Sequence, residues 1–352
     1  MKTQVLASLL LFCGASGFAL YPTLNENMDT AVDMASLFAN PQTYLSIYDD
    51  FGNIVKIDMN LDDPETLEET KKDLRKRVSF YLYTKATPNN PEKLYVDDVN
   101  TLKKSHFNPQ KQTVIITHGW MNSYKSQACT KIRDAYLQKG DYNIITVDWA
   151  TISVRPYVWC SRRVMMIGEY VGKFINFLEK HKMNVSELTI VGHSLGAHIA
   201  GLSSYYSKTK AKYIVGLDPA LPNFYLAEKG ARISQGDGKY VMIIHTNGDL
   251  LGFSKSLGDI DFYPNGGKFQ IGCAVDVGGA CSHMRAVHYF AESINSQKGF
   301  WGLQCSDYNS FQQGICKKQS TALMGGHEPD VTAKGLHYLR TSKEAPFALG
   351  RL

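Results

Sequence analysis

The chain has 352 residues, of which 44% are hydrophobic and 20% are charged, and its 38 basic and 33 acidic side chains give a formal net charge of +5. This composition is typical of a globular protein and excludes disordered, collagen-like and coiled-coil chains. The basic residues are spread along the chain without the concentrated patch of nucleic-acid-binding proteins, so we expect no nucleic-acid partner.

The first 17 residues have the pattern of a secretory signal peptide. Lys2 precedes a short apolar run, 5–13, and the small residues Ala15-Ser16-Gly17 predict a cleavage site at residue 17. The alternative, a membrane anchor, requires about 20 apolar residues, more than this run contains. We therefore predict a secreted, extracellular protein without a transmembrane anchor.

Cleavage would remove Cys13 and leave six cysteines, an even number in a chain that enters an oxidising compartment. Proximity in the sequence favours three disulfides, although it does not prove the connectivity: Cys129 with Cys160, Cys273 with Cys281, and Cys305 with Cys316. The absence of a C-x-x-C pair argues against zinc. A sequon at Asn184 predicts an N-linked glycan.

Two features precede the regular part of the chain. Apolar and polar residues alternate from Thr43 to Asp58 around a turn sequence at 49–53, which predicts a β-hairpin. The segment 62–77 is first acidic and then basic. It has two interpretations, a patch for an anionic membrane or a solvated helix or loop, and the second is favoured. A strand is predicted at 78–84.

Further along, short apolar runs alternate with segments long enough for crossover helices, which predicts a buried and mostly parallel sheet. The predicted strands are Thr113–Thr117, Asn143–Val147, Leu188–Val191, Tyr213–Leu217 and Lys239–His245. The clearest helix is predicted at Arg162–His181, where apolar residues recur every three or four positions. We expect an α/β fold with helices flanking the sheet. A single domain is predicted at 40–352, after an N-terminal segment, 18–39, that is a candidate for processing.

The sequence Gly192-His193-Ser194-Leu195-Gly196 follows one of these strands directly and opens a helix rich in small residues. A sharp strand-to-helix turn forces its central residue into a strained conformation, and glycines on both sides avoid side-chain clashes there. The serine hydroxyl would be presented at a helix N-terminus, where free N–H groups favour developing negative charge. We therefore predict that Ser194 is a nucleophile.

A serine nucleophile needs a base and an orienting acid, which follow it in the order acid and then histidine when it lies on such a turn. Asp218 ends the next strand and is the predicted acid, whereas Asp148 precedes Ser194 and breaks the order. Sequence alone leaves the base open. His283 is favoured over His245, which ends a strand, and the other downstream histidines are His288, His327 and His337. The backbone N–H groups of Leu195 and Trp120 are the predicted oxyanion donors.

Together these motifs resemble the pancreatic lipase family of secreted esterases, most closely its insect neutral lipase and venom phospholipase A1 branch. The resemblance spans roughly residues 40–350 and is carried by Thr117-His118-Gly119-Trp120, Val147-Asp148-Trp149, Gly192–His198, Gly216–Ala220, His245-Thr246-Asn247, Asp261–Gly267 and Cys281–Arg285. It implies an α/β-hydrolase fold with Ser194, Asp218 and His283 as the catalytic triad. It also places Trp120 and Leu195 at the oxyanion positions.

Three departures from the family concern substrate and cofactor. The lid loop between Cys273 and Cys281 and the neighbouring loop at 247–261 are short, as in the phospholipase A1 branch. The chain ends at Leu352, so we expect no C-terminal PLAT-type domain and no colipase partner. In the family's calcium site Arg232 and Asp237 match, but Lys229 and Ser234 replace the expected carboxylates, so we predict no metal and no cofactor.

The resemblance therefore implies a serine esterase that acts on glycerolipids at a membrane, micelle or emulsion surface, with phospholipase A1 as the favoured activity. A neutral triacylglycerol or galactolipid lipase is the alternative with the same chemistry. A lipase-like lipid-binding protein, similar to the yolk proteins, is disfavoured because the nucleophile is present. A secreted serine protease is excluded because neither common protease triad has this chain order.

Overall fold

The computed structural model describes residues 44–49, 52–58, 61–273 and 276–351, which all belong to one compact unit. The predicted signal peptide, 1–17, and the segment 18–39 lie outside the described residues. Of the helices that the structure describes, none is both long and apolar enough to cross a bilayer.

The strands in chain order are β1 (Tyr44–Tyr48), β2 (Ile54–Asp58), β3 (Ser79–Tyr83), β4 (Glu92–Leu94), β5 (Thr113–Thr117), β6 (Asn143–Asp148), β7 (Thr189–His193), β8 (Tyr213–Leu217), β9 (Tyr240–Ile244), β10 (Ile260–Pro264), β11 (Phe300–Gln304), β12 (Thr321–Met324) and β13 (Gly335–Leu339). The helices are α1 (Leu67–Lys72), α2 (Leu74–Arg77), α3 (Val99–Lys104), α4 (Gln127–Lys139), α5 (Ala150–Ser153), α6 (Tyr157–Ser161), α7 (Val164–Lys180), α8 (Leu195–Tyr205), α9 (Ala280–Ser293) and α10 (Tyr308–Gln312).

Strands β3 to β13 form one twisted sheet in the order β12-β11-β13-β10-β9-β8-β7-β5-β6-β3-β4. The six pairings between β6 and β13 through the centre of the sheet are parallel, and the pairings at both edges are antiparallel. The five predicted parallel strands are therefore confirmed. Since parallel strands end at the same edge, the loops after β5, β7, β8 and β9 lie together there.

The sheet separates two hydrophobic cores because side chains alternate between its faces. Ile115 and Ile190 face one core, which includes α7 and α8, while Val114 and Val191 face the other, which includes α4 and α9. The predicted helix at 162–181 is α7, and the apolar residues of its predicted stripe are all buried.

The N-terminal features also have the predicted structure. β1 and β2 form an antiparallel hairpin in which Tyr44 faces Asp58. The acidic and basic segment folds into α1 and α2, and a capping box of Thr66 and Glu69 starts α1. An ion pair at 2.9 Å joins Arg77 to Glu65 beside these helices. Much of this segment is therefore helical, and a helix is compatible with both interpretations.

Sequence analysis did not predict β10, β13 or α9. Buried polar residues, Asp261 in β10 and His337 in β13, interrupt the apolar runs of these strands. His283 lies in the first turn of α9, just after the loop that the disulfide Cys273–Cys281 closes. The carboxylate of Asp276 accepts hydrogen bonds from the N–H groups of Cys281 and Ser282 at 2.8 and 3.0 Å, so it caps this helix end.

Two of the three expected disulfides are present, Cys273–Cys281 and Cys305–Cys316. The expected bond between Cys129 and Cys160 is wrong. Cys129 belongs to the core with α4 on one face of the sheet, whereas Cys160 belongs to the core on the other face. The sulfur of Cys160 instead lies 2.9 and 3.2 Å from the carbonyl oxygens of Ile152 and Arg155, which share its single S–H donor.

We expect Cys160 to be alkylated when the protein is unfolded without a reductant, because its sulfur forms no disulfide. Burial raises the pKa of this thiol to about 12, so the folded protein should react far more slowly. Peptide mass spectrometry after iodoacetamide treatment in guanidinium measures both states. Detection of a peptide that joins Cys129 to Cys160 through a disulfide would contradict the structure.

Candidate active site

Ser194 lies at the turn from β7 into α8 with φ 59° and ψ −125°, a backbone conformation that non-glycine residues rarely adopt. The glycines on both sides allow this turn. A side chain at Gly192 would collide with the carbonyl of Gly196, and one at Gly196 would collide with the backbone of Thr117 and His118. The predicted strained elbow is therefore present, and close packing against the loop after β5 supports it.

Asp218 follows β8, the strand beside β7, and is fully buried. Its Oδ1 atom accepts hydrogen bonds from the N–H groups of Thr246 and Asn247 at 2.8 and 3.0 Å. The backbone of Gly252 closes against the carboxylate, since a Cβ atom there would lie 2.5 Å from Oδ2 of Asp218. The carboxylate is thus held in one orientation, with Oδ2 directed away from these donors.

His283 reaches this carboxylate from α9. Its Nδ1 atom lies 2.6 Å from Oδ2 of Asp218, and its side chain is 6% exposed. Ser194 and His283 line the same pocket. The structure therefore brings together the three predicted residues, with Asp218 bound to one ring nitrogen of His283 and the other nitrogen left for a reacting group.

The pocket around Ser194 is mostly apolar. Its lining combines side chains from the N-terminal hairpin, from the loops after β5, β8 and β9, and from α6 and α9, among them Ile47, Trp120, Leu251, Tyr157 and Met284. An apolar pocket with a few convergent polar groups suits a substrate with a hydrocarbon chain attached to a polar reacting group.

Of the two predicted oxyanion donors, Trp120 lines this pocket, and Leu195 directly follows the pocket residue Ser194. Gly119 packs so closely that a Cβ atom there would lie 2.9 Å from the Cβ atom of Ser194. The neighbouring N–H of Met121 donates to the carbonyl of Ser153. Within the described ranges, no hydrogen bond engages the N–H of Trp120 or Leu195, so both groups remain available to an anion. The Trp120 indole donates to the Arg155 carbonyl at 2.7 Å, which is a structural role.

The alternative base, His245, is paired elsewhere. Its Nε2 atom lies 2.8 Å from Oδ1 of Asp261, and its Nδ1 atom lies 2.6 Å from the carbonyl of Phe253. Since both ring nitrogens face other partners, His245 supports the strand ends and does not serve Ser194. Among the remaining downstream histidines, burial lowers the pKa of His288 to about 4 and also lowers the pKa values of His327 and His337.

Asp148, the acid that was set aside for its chain order, also has other partners. Its carboxylate lies 3.6 Å from Nε2 of His118 and accepts hydrogen bonds from the N–H groups of Tyr124 and Ala150. Burial favours its neutral form, but the interaction with His118 and the hydrogen bonds from the N–H groups of Ala150 and Tyr124 together outweigh this effect and lower the pKa of Asp148. Asp148 therefore stabilises the loops beside the site.

The residues at the family's calcium position do not fit that ion. Asp237 is buried and its Oδ1 atom has no hydrogen-bond partner, while burial raises its pKa to about 6. Arg232 donates to the carbonyls of Ala227 and Ile233 at 2.8 Å, and the positive charges of Lys229 and Arg232 act on Asp237. Calcium takes six to eight oxygen ligands, and one carboxylate among cations does not provide them.

Several residues that shape the site have no sequence signal of their own. Thr246 and Asn247 hold Asp218 through backbone N–H groups, a role that does not depend on side-chain type. The Oε1 atom of Gln270 accepts a hydrogen bond from the Tyr289 hydroxyl, and its Nε2 atom donates to the carbonyls of Thr246 and Pro264. The sequon residue Asn184 is exposed, and its side chain accepts a hydrogen bond from the N–H of Ser186.

The order of the sheet and the crossover helices define the α/β-hydrolase fold. The sequence matches the model of the lipase family over residues 44–347. The chain therefore belongs to the lipase family, and the predicted resemblance is confirmed.

Known proteins with similar sequences are lipases. The chain is 33% identical to pancreatic triacylglycerol lipase of Cavia porcellus, with 68% of this chain and 56% of the relative covered. It is 32% identical to lipoprotein lipase of Papio anubis, with 69% and 57% covered, so it spans just over half the length of these relatives. Among solved structures, an esterase of Pyrococcus furiosus matches at 15% identity with a TM-score of 0.30, covering 41% of this chain and 66% of that one.

We expect Gly252→Ala to lower the rate at which a fluorophosphonate labels Ser194 by about 100-fold or more, because the added Cβ atom would displace the Asp218 carboxylate. Labelling followed by mass spectrometry measures the rate, and thermal unfolding verifies that the variant is folded. Gly140→Ala is the control, since its Cβ atom would meet only the Tyr142 ring. Labelling of folded Gly252→Ala at the wild-type rate would contradict this account of the site.

The burial of His198 predicts that the stability of the protein depends on pH. The residue is fully buried, its Nε2 atom donates to the carbonyl of the pocket residue Ala220 at 2.8 Å, and burial lowers its pKa to about 3. Below about pH 6.5 the unfolded chain binds a proton at this residue and the folded chain does not. The stability that neutral His198 supplies is therefore complete above that pH and is lost as the pH falls towards 3.

We expect this loss to reach about 2 to 3 kcal/mol between pH 6.5 and 4.5. His198→Gln keeps a donor for the Ala220 carbonyl but has no titrating ring. Between the same two pH values, the free energy of unfolding of this variant should therefore fall by about 2 to 3 kcal/mol less than that of the wild type. Denaturant titrations of both proteins at the two pH values give the difference. Parallel pH dependences would refute the assignment to His198.

Proposed function

We propose that this chain is a secreted serine esterase that hydrolyses acyl esters of glycerolipids. The observation that carries the proposal is the 2.6 Å contact between Nδ1 of His283 and Asp218 beside Ser194 on its strained turn. Membership of the lipase family supports the substrate class. Extracellular location is supported by two disulfides, Cys273–Cys281 and Cys305–Cys316, because such bonds persist in oxidising compartments.

The proposed reaction begins when Nε2 of His283 takes the proton of the Ser194 hydroxyl as its oxygen attacks the ester carbonyl. Asp218 holds the ring through Nδ1 and stabilises the imidazolium that forms. The N–H groups of Trp120 and Leu195 bind the negative oxygen of the tetrahedral intermediate. The imidazolium then gives its proton to the departing alcohol, which leaves the acyl group on Ser194. In the second half of the reaction His283 takes a proton from water as the water attacks the acyl carbonyl, and it returns that proton to the Ser194 oxygen as the fatty acid leaves.

We further propose that phospholipids are the preferred substrate and that the sn-1 ester is cleaved. The loop closed by Cys273–Cys281 has a sequence separation of only 8, and within it Asp276 is already used to cap α9. A loop of this length covers little of the pocket at Ser194, which favours access of a lipid with a large polar head group. The same short loop implies weak interfacial activation, since no large lid has to move.

A neutral triacylglycerol lipase is the second candidate, because the named relatives include a pancreatic triacylglycerol lipase and lipoprotein lipases. A galactolipid lipase has the same chemistry. The apolar pocket accepts the acyl chain of either lipid class, so the head group has to decide between them.

Product analysis on phosphatidylcholine, monogalactosyldiacylglycerol and trioleoylglycerol tests the proposal. We expect phosphatidylcholine to be hydrolysed fastest of the three lipids, and a phosphatidylcholine with distinct acyl chains at sn-1 and sn-2 to release the sn-1 acid. Ser194→Ala should reduce the rate by about 10⁴-fold or more. Faster hydrolysis of trioleoylglycerol or of the galactolipid would establish the second candidate. A folded protein that is inactive on all three lipids and resists fluorophosphonate labelling would be a lipid-binding protein instead.

A further inference from the structure

His193 is the last residue of β7 and directly precedes Ser194, yet the reaction proposed above gives its side chain no role. The residue is 4% exposed and lies beside the pocket. Ser194 has a strained backbone with positive φ, but this strain does not require a histidine at position 193. The imidazole of His193 therefore needs its own explanation.

The side chain of His193 contacts the base at two places. Its Nε2 atom lies 3.1 Å from the backbone carbonyl oxygen of His283. A carbonyl only accepts, so Nε2 carries the hydrogen and donates it. The two imidazole rings are also in contact, with centroids 4.4 Å apart and planes inclined by 46°. His193 thus holds His283 through both its backbone and its ring.

The state of the ring follows from its surroundings. Nδ1 of His193 is buried and has no hydrogen-bond partner, which suits a neutral ring with its single hydrogen on Nε2. Burial, together with the charges of His283 and His288, lowers the pKa of His193 well below its usual range. Both of those histidines lie on α9, and Asp218, which follows β8, is bound to Nδ1 of His283.

A neutral ring matters because His283 becomes positively charged when it takes the serine proton. A charged neighbour with ring centroids 4.4 Å away would oppose that change. A neutral donor at the same place fixes the first turn of α9 against β7, the strand that leads to Ser194. Asp218 fixes the orientation of the imidazole, and His193 fixes the backbone from which that imidazole extends.

We propose that His193 is a positioning residue that holds His283 at the correct distance from Ser194 through the hydrogen bond to its backbone carbonyl. The inference rests on the proposed function, since it assigns His193 to the same reaction. It predicts that the donor at Nε2 matters and that a titrating ring does not.

Two variants test this role on p-nitrophenyl butyrate, a soluble ester that requires no lipid surface. His193→Leu removes the donor, and we expect kcat to fall by about 10- to 100-fold with KM within about twofold of wild type. His193→Gln keeps an amide donor close to the position of Nε2 and should retain kcat within about threefold of wild type. Thermal unfolding of both variants verifies that they fold.

Wild-type kcat in folded His193→Leu would overturn the inference, as would a folded His193→Gln that is as slow as the Leu variant. A rise in KM as large as the fall in kcat would also overturn it, because that pattern indicates a damaged pocket. If the wild type hydrolyses no ester, the proposed function fails instead. In that case, crystal structures of the wild type and of His193→Leu test the positioning role directly. A His283 backbone at the same position in both would refute the inference that His193 positions His283.

Discussion

The site depends on the close packing of two backbone turns at one edge of the sheet. Gly196, just after Ser194, lies so near the backbone of Thr117 and His118 that no side chain fits between them. This contact presses the loop after β5 onto the turn after β7 and maintains the positive φ of Ser194. A strained residue of this kind costs on the order of 1 to 3 kcal/mol, which the surrounding packing has to offset. The same contact brings Gly119 and Trp120 beside the serine.

A second constraint is the burial of carboxylates at the strand ends. Asp218 and Asp261 are both fully buried, so each needs hydrogen bonds to be tolerated there. Each also pairs with a histidine, Asp218 with His283 and Asp261 with His245. The first pair borders the pocket, whereas the second holds strands together behind it. Two pairs with the same chemistry therefore have different roles because of where the sheet places them.

Much of the site could be predicted from sequence because its signals are local. The strand before Ser194, the glycines around it and the position of Asp218 at the next strand end are each recognisable within a few residues. The parallel strands with continuous apolar runs were predictable for the same reason. β10 was not, because buried Asp261 interrupts its apolar run, and that residue is tolerated only through its tertiary partners.

The sequence by itself predicted the class of fold, the candidate nucleophile and its candidate acid, since short-range patterns specify strands, helices and the turn between them. Chain order left both His245 and His283 open as the base, and the family resemblance favoured His283. The tertiary structure shows that His283 pairs with Asp218, while both ring nitrogens of His245 face other partners. It also excluded the bond between Cys129 and Cys160, which lie on opposite faces of the sheet. Distances across a fold depend on packing between distant segments, and proximity along the chain does not report them.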